Sequence, residues 1–215
     1  MIFQNRIDAA KQLAKNLEWV KNDDPLILAI PRGGVVIGDV IASLLNAKLD
    51  IIISRKISAP HNPELAIGAL MQDMRYFPNE DIVRMLNIPQ KYIESQISSK
   101  LKEIEHRLIK FRGTKEYHLE GKTIVLVDDG IATGATLFVV IQWIKKQKPK
   151  QLIVAVPVGP KETIDKLNSI VDKVVVLQSP VYFNAVGEFY REFEQVEDSQ
   201  VQEIMRKHGY DIKLM

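Results

Sequence analysis

"GKTIVLVDDGIATGATLFVV" (residues 121–140) decides the reading of this chain. Residues 123–127 form a short apolar, largely β-branched run, the pattern of a strand buried on both faces. Two carboxylates, Asp128 and Asp129, follow at once; then come Thr133-Gly134-Ala135-Thr136 and an apolar stretch that reads as a helix. In an open α/β sheet, ligands bind beyond the carboxyl ends of the strands, where loops lead into helices. Gly134 lets the backbone approach a ligand, the free amides at the helix start attract an anion, and two threonines add hydroxyl donors. The two carboxylates would repel that anion. They accept hydrogen bonds only, so they suit sugar hydroxyls or a magnesium-bound water. Phosphate at one end and a diol at the other describe a ribose 5-phosphate.

Working outward, the same alternation recurs. Residues 4–20 carry Ile7, Ala10, Leu13, Ala14, Leu17 and Val20 at helical spacing, and Asn22-Asp23-Asp24-Pro25 ends that helix. A strand is predicted over 26–30, a helix over 35–46 and a second strand over 50–56 ("DIIISRK"). Beyond the opening stretch the order is strand 123–127, helix 135–147, strand 152–158, helix 161–169 and strand 173–177. Strands separated by helices imply right-handed crossovers and a mainly parallel sheet covered on both faces, a doubly wound α/β fold. Residues 1–215 read as one domain with its core over about 25–180 and a hood and tail over 178–215. Two segments break the alternation. Residues 57–80, with Pro60, Pro63 and Gly68, suggest a loop followed by a short hairpin. In 90–112, Ile93, Ile97, Leu101, Ile104, Leu108 and Phe111 make the apolar seam of one long helix, which is expected to pack on the domain or on a dimer partner.

Composition narrows the function. The 215 residues are 46% hydrophobic and 26% charged, ordinary for a soluble globular protein. With 29 basic and 27 acidic side chains the net charge is +2, which gives no electrostatic footprint for nucleic acid. There is no cysteine, which excludes disulfides, thiolate metal sites and cysteine nucleophiles. The apolar runs are far short of a membrane span and the first fifteen residues carry charges where a secretory segment needs an apolar centre, so a cytoplasmic protein is expected. His61, His106, His118 and His208 are scattered, and neither HExxH nor GxSxG occurs.

The loop after residue 127 is neither of two common phosphate binders, since it lacks the lysine of GxxxxGK[ST] and the pattern GxGxxG. "VLVDDGIATGAT" (125–136) resembles the phosphoribosyl pyrophosphate (PRPP) motif of the type I phosphoribosyltransferases. That resemblance implies that Asp128 and Asp129 meet the ribose hydroxyls and that Ala132, Thr133, Gly134, Ala135 and Thr136 wrap the 5-phosphate. Hypoxanthine-type members carry an aspartate where this chain has Ala132, so their means of handling a purine nitrogen does not transfer; adenine-type members have alanine there.

PRPP would also need its pyrophosphate held. "AIPRGGVVIG" (29–38) supplies a loop after the first strand, with Gly33 and Gly34 to turn amides toward an oxyanion and Arg32 as a bidentate fork. In the family this is the pyrophosphate loop, often with a cis non-proline peptide. Arg55 and Lys56, ending the second predicted strand, are expected to pair with the departing pyrophosphate. His61, Asn62 and Glu64 could reach the site from the following loop. "APHNPELAIGAL" and "FNAVGEFYREFEQVED" together resemble a little-characterised subgroup of predicted phosphoribosyltransferases in bacteria and archaea. The acceptor is expected beneath a hood over 178–193, whose Tyr182, Phe183, Phe189 and Tyr190 could stack on a flat base. The resemblance implies glycosyl transfer from PRPP in nucleotide and nucleoside metabolism, with Mg²⁺ held by substrate and water near Asp128 and Asp129 and by no protein ligand directly, and a small-molecule acceptor. A PRPP- or nucleotide-sensing regulator of the same fold is the alternative, and a homodimer is possible.

Overall fold

The computed structural model describes residues 2–212, the side chains of Pro63 and Glu64 apart. Five strands form a wholly parallel sheet: β1 (Leu26–Ala29), β2 (Lys48–Ile51), β6 (Thr123–Val127), β7 (Gln151–Val158) and β8 (Lys173–Gln178), in the order β2-β1-β6-β7-β8. Both faces are buried, as the unbroken apolar runs require. Ile27, Ala29, Val125, Val127, Ile153 and Ala155 face one hydrophobic cluster, while Leu28, Ile124, Leu126, Leu152 and Val154 face the other. The first cluster is roofed by α1 (Arg6–Lys15) and α2 (Gly33–Leu45), the second by α5 (Ala135–Lys146) and α6 (Lys161–Asn168). This is the doubly wound α/β arrangement the alternation implies.

The amphipathic pattern of residues 4–20 yields a shorter α-helix than expected. The Asn5 side chain caps it by accepting from the Asp8 amide at 3.1 Å, and after Lys15 the chain tightens into a 3₁₀ segment over Glu18–Asp23.

The segment expected as one strand over 50–56 is two. The chain leaves the parallel sheet after Ile51, and Ser54–Ala59 becomes β3 of a separate antiparallel sheet with β4 (Asn62–Met71) and β5 (Tyr76–Pro78). Residues 57–80 are therefore mostly strand, where the sequence suggested a loop and a short hairpin. A six-residue helix, α3 (Glu80–Met85), follows. Then α4 (Gln90–Arg112) forms over the span its seam predicts, with Ile93, Ile104, Leu108 and Phe111 buried. It ends on Gly113 in the left-handed conformation.

Helix α4 packs against β3, β4 and the C-terminal helix α7 (Asp198–Lys207). Its last turn is locked to β2: Arg112 donates Nε and Nη2 to the two oxygens of Asp50 at 2.7 and 2.8 Å, in a pair only 6% and 7% exposed. The Arg112 guanidinium also lies 3.9 Å from the ring centre of Tyr117. Between residues 178 and 193 the chain is largely irregular, with a short 3₁₀ turn, Val186–Phe189, and a β-bridge from Tyr190 to Phe3. Among the described residues, no helix is long and apolar enough to cross a membrane.

Candidate active site

Strand order reverses between β1 and β6, because the chain runs from β1 outward to β2 and returns to β6 on the other side. The crevice beyond the carboxyl ends of these two strands is the topological switch point, where open α/β sheets take their ligands. The loop after β1 and the loop after β6 meet there. Ile30 N donates to Val127 O at 3.0 Å, the Pro31–Arg32 peptide is cis, and α2 begins at Gly33. The two glycines leave no room for side chains. A Cβ on Gly34 would stand 2.9 Å from the Asp128 Cα, and one on Gly33 would overlap the Asp129 carboxylate. The two loops therefore form one continuous surface.

The two carboxylates differ in their surroundings. The Asp128 carboxyl is pushed well above the ordinary carboxylate range, first by burial and then by the charge of Asp129. Its Oδ1 accepts from the Asp129 amide at 2.8 Å. Asp129 has a cation of its own: Arg6, at the start of α1, donates Nε to Asp129 Oδ2 at 2.7 Å, with side-chain exposures of 12% and 16%. Arg6 is clamped in turn. Its Nη1 donates to Glu194 O at 2.7 Å, and its guanidinium lies 3.9 Å from the Phe193 ring centre. The Tyr190 hydroxyl donates to Asp129 O at 2.6 Å. The spacing of the motif gives no hint of this asymmetry.

Beyond the acid pair the loop turns into α5. A pocket of about 170 Å³ is walled by Asp128 and residues 130–137, the segment expected to hold a phosphate. Gly134 has φ +75°, in the left-handed region, and a Cβ there would press on Phe138 and Thr163 at 2.9 Å, so the turn demands glycine. Helix α5 begins at Ala135, so its first turn lines this pocket.

A second cleft, about 330 Å³, shares Asp128 and Thr136 with this pocket. Its walls are Ile30 and Pro31, residues 52–56 with Ser54, Arg55 and Lys56, Thr136, and Arg107 from α4. Arg55 and Lys56 thus reach the site, although from the first strand of the small sheet and not from the end of a parallel strand. Arg55 Nε is 3.2 Å from Glu103 Oε2, and burial followed by the nearby Arg107 charge lowers the Arg55 pKa. Arg32 is turned toward α7, with Nη1 3.5 Å from Asp198 Oδ1. A larger cavity of about 470 Å³, between the small sheet and α5, shares Lys56 and Thr136 with this cleft and includes Phe77 and Phe138 in its lining.

Other expected residues are placed differently. His61 and Asn62 are exposed at the tip of the β3–β4 turn and are not among the cleft walls. The side chain of Glu64 lies outside the described residues. Of the hood aromatics, Phe183 stacks on Phe189 at 5.4 Å, and Tyr190 is buried against Phe3 at 5.4 Å and Phe193 at 4.9 Å. Tyr182 is 93% exposed. These rings pack largely on each other. Arg6 and Arg107 went unpredicted; each is one of several basic residues on an amphipathic helix, where a solvated face is the ordinary outcome.

A model of the phosphoribosyl transferase domain family matches residues 2–190. Rv0571c of Mycobacterium tuberculosis, a protein whose name assigns it provisionally to the phosphoribosyl transferases, is 36% identical over 201 residues, 93% of this chain. The chain spans about half the length of that curated relative, 45% of it. Among solved structures, TT1426 from Thermus thermophilus matches with a TM-score of 0.82 at 33% identity, covering 96% of this chain and 99% of that one.

Proposed function

Since the chain belongs to the phosphoribosyl transferase domain family, we propose that it transfers ribose 5-phosphate from PRPP to a nitrogenous base or related small acceptor, releasing pyrophosphate. The observation that carries this reading is the contiguity of the two loops after β1 and β6. The acid pair, the phosphate-sized pocket of residues 130–137 and the Arg32–Gly34 turn form one surface at the switch point, with a cationic cleft beside it. The pocket of residues 130–137 and the cationic cleft share Asp128 as a wall, which suits a ligand with a 5-phosphate, a ribose diol and a pyrophosphate.

In this reading the amides and threonine hydroxyls of residues 132–136 hold the 5-phosphate. Asp128 accepts from the ribose hydroxyls, while Asp129 shares its charge with Arg6 and keeps the loop in place. Arg55, Lys56, Arg32 and the Gly33–Gly34 backbone hold the pyrophosphate. Carbon–oxygen cleavage at the anomeric centre leaves an oxocarbenium-like sugar and a departing anion, so the protein contributes positioning and charge with no covalent nucleophile. Among the described residues there is no group of three or more carboxylates and histidines placed to hold a metal. A magnesium ion, where the reaction uses one, would be carried in by the diphosphate, and Asp128 is the residue that would face it. When bound, that ion supplies charge neutralisation on the leaving group.

Titration calorimetry with PRPP, with and without Mg²⁺, tests the assignment; heat of binding is expected with the metal present, and its absence under both conditions would sink the reading. A screen for pyrophosphate release across purines, pyrimidines and related acceptors then finds the acceptor. Binding with no release on any acceptor would favour a PRPP sensor over an enzyme.

A further inference from the structure

Helix α4 has a polar row beside its apolar seam: Lys100, Glu103, Arg107 and Lys110 each precede a seam residue by one position. Lys100 and Arg55 both pair with Glu103, at 2.6 and 3.2 Å, and Lys110 pairs with Asp198 at 2.7 Å. Arg107 differs. Among the described residues it has no ion pair within 4 Å, yet it is half-buried and lines the same cleft as Asp128.

Arg107 also stands close enough to Arg55 for the two charges to oppose each other, as the depressed Arg55 pKa records after its burial. Two guanidinium groups facing one partly enclosed cleft repel one another more strongly than they would in open water. An anion between them removes that repulsion and uses their forked geometry. The same cleft holds further unused donors. Ser54 is 8% exposed with its Oγ lacking any hydrogen-bond partner, and Arg55 Nε, though 3.2 Å from Glu103, is not aligned for a hydrogen bond. Buried polar groups are normally satisfied, so the orphaned Ser54 hydroxyl in a cationic cleft points to a missing acceptor.

We propose that Arg107 is a substrate-binding residue, and that helix α4 completes a diphosphate-binding cleft by setting Arg107 in its wall with Asp128, Arg55 and Ser54. The assignment of that diphosphate to PRPP rests on the function proposed above. The helix is then more than packing: its seam holds it on β3 and β4, and that hold fixes the height of the guanidinium over the cleft.

The test is calorimetric titration of wild type, Arg107→Gln, Arg107→Lys and Lys102→Gln with magnesium pyrophosphate and, separately, with ribose 5-phosphate. Lys102 is exposed on the same helix and makes the same charge change away from the cleft. Arg107→Gln is expected to weaken pyrophosphate binding by about 10- to 100-fold, the usual effect of one charge-assisted contact, and to leave ribose 5-phosphate unchanged. Arg107→Lys should recover part of the loss, and Lys102→Gln should bind as wild type does. Unchanged pyrophosphate affinity in Arg107→Gln overturns the proposal while leaving PRPP chemistry intact. An equal loss in Lys102→Gln overturns it too, by showing a bulk charge effect. Wild type that binds pyrophosphate through Arg107 but neither ribose 5-phosphate nor PRPP sustains the cleft and removes the phosphoribosyl reading.

Discussion

The loop over 128–136 and the cleft wall carrying Arg55 and Arg107 face each other but are built by different means. The loop is local in sequence: strand, acid pair, glycine turn and helix start follow within one short stretch. The opposite wall is assembled from a small antiparallel sheet and a helix that begins thirty-five residues after Arg55. Nothing in its local sequence fixes where its side chains end; tertiary packing does that. A local site survives damage elsewhere, whereas an assembled one depends on remote anchors.

The sharpest way to break this comparison is to cut an anchor. Arg112→Met leaves the Asp50 carboxylate buried without its partner, and removing one member of such a pair costs about 3–5 kcal/mol. Chemical denaturation should show that loss. The double replacement Asp50→Leu with Arg112→Met should restore most of it, because an apolar pair of similar volume avoids the desolvation cost. If the single variant is as stable as wild type, α4 is held by its seam alone.

Next in size is Asp128→Asn. Loss of the carboxylate should lower turnover of PRPP by about 10²- to 10³-fold, the scale of one preorganised electrostatic contact. Stability should move the other way. Because the folded-state pKa is raised, the native protein binds a proton more tightly than the unfolded chain, and stability falls as pH climbs from the ordinary carboxylate range through the raised value. Asparagine removes that penalty and still accepts from the Asp129 amide, so melting at neutral pH should rise by the equivalent of about 1 kcal/mol. A variant with full activity, or one less stable than wild type at neutral pH, contradicts this account.

Smaller again is Arg6→Leu, which leaves Asp129 without its cation. If Asp129 is a positioning residue, the variant should lose about tenfold in kcat/KM for PRPP, near the worth of one partly buried charged hydrogen bond. Arg6→Lys should recover part of it. An unchanged kcat/KM would mean that Asp129 needs no partner to hold the loop.

These differences also explain what could be read from sequence. Strand β6 and helix α4 have the spans their patterns imply, since apolar period and flanking glycine or proline mark both ends. The segment over 50–56 was harder. Its isoleucines continue without glycine or proline across Ile52 and Ile53, so nothing in the residue pattern marks the passage from one sheet to another. Gly33 and Gly34 were legible as residues that turn amides toward an oxyanion, but their neighbour, the Asp129 carboxylate, lies about a hundred residues away in the chain and only packing brings it there. Arg6 and Arg107 were hidden for a like reason. A basic residue on a helix acquires meaning from the loop opposite, and no local pattern records that loop.

The smallest effect concerns α2, which opens with the Gly33–Gly34 turn and is tied to the C-terminal helix through Asp39. Burial by itself would raise the Asp39 pKa, but hydrogen bonds from Lys207 Nζ and the His208 ring, both at 2.8 Å, outweigh it and hold the carboxyl below its ordinary value. A depressed acid stabilises the fold above its unfolded pKa, and that stabilisation is lost as pH falls through the folded value. Asp39→Asn should therefore cost about 0.5–1 kcal/mol at pH 7, as expected for a pair with one exposed cation. The difference should shrink toward nothing only once pH falls below the depressed folded value, where Asp39 is protonated in both states. Melting curves of both proteins at neutral and acid pH measure this directly. A gap that persists at low pH would assign the Asp39 contribution to shape, and the link between α2 and α7 would then be packing without charge.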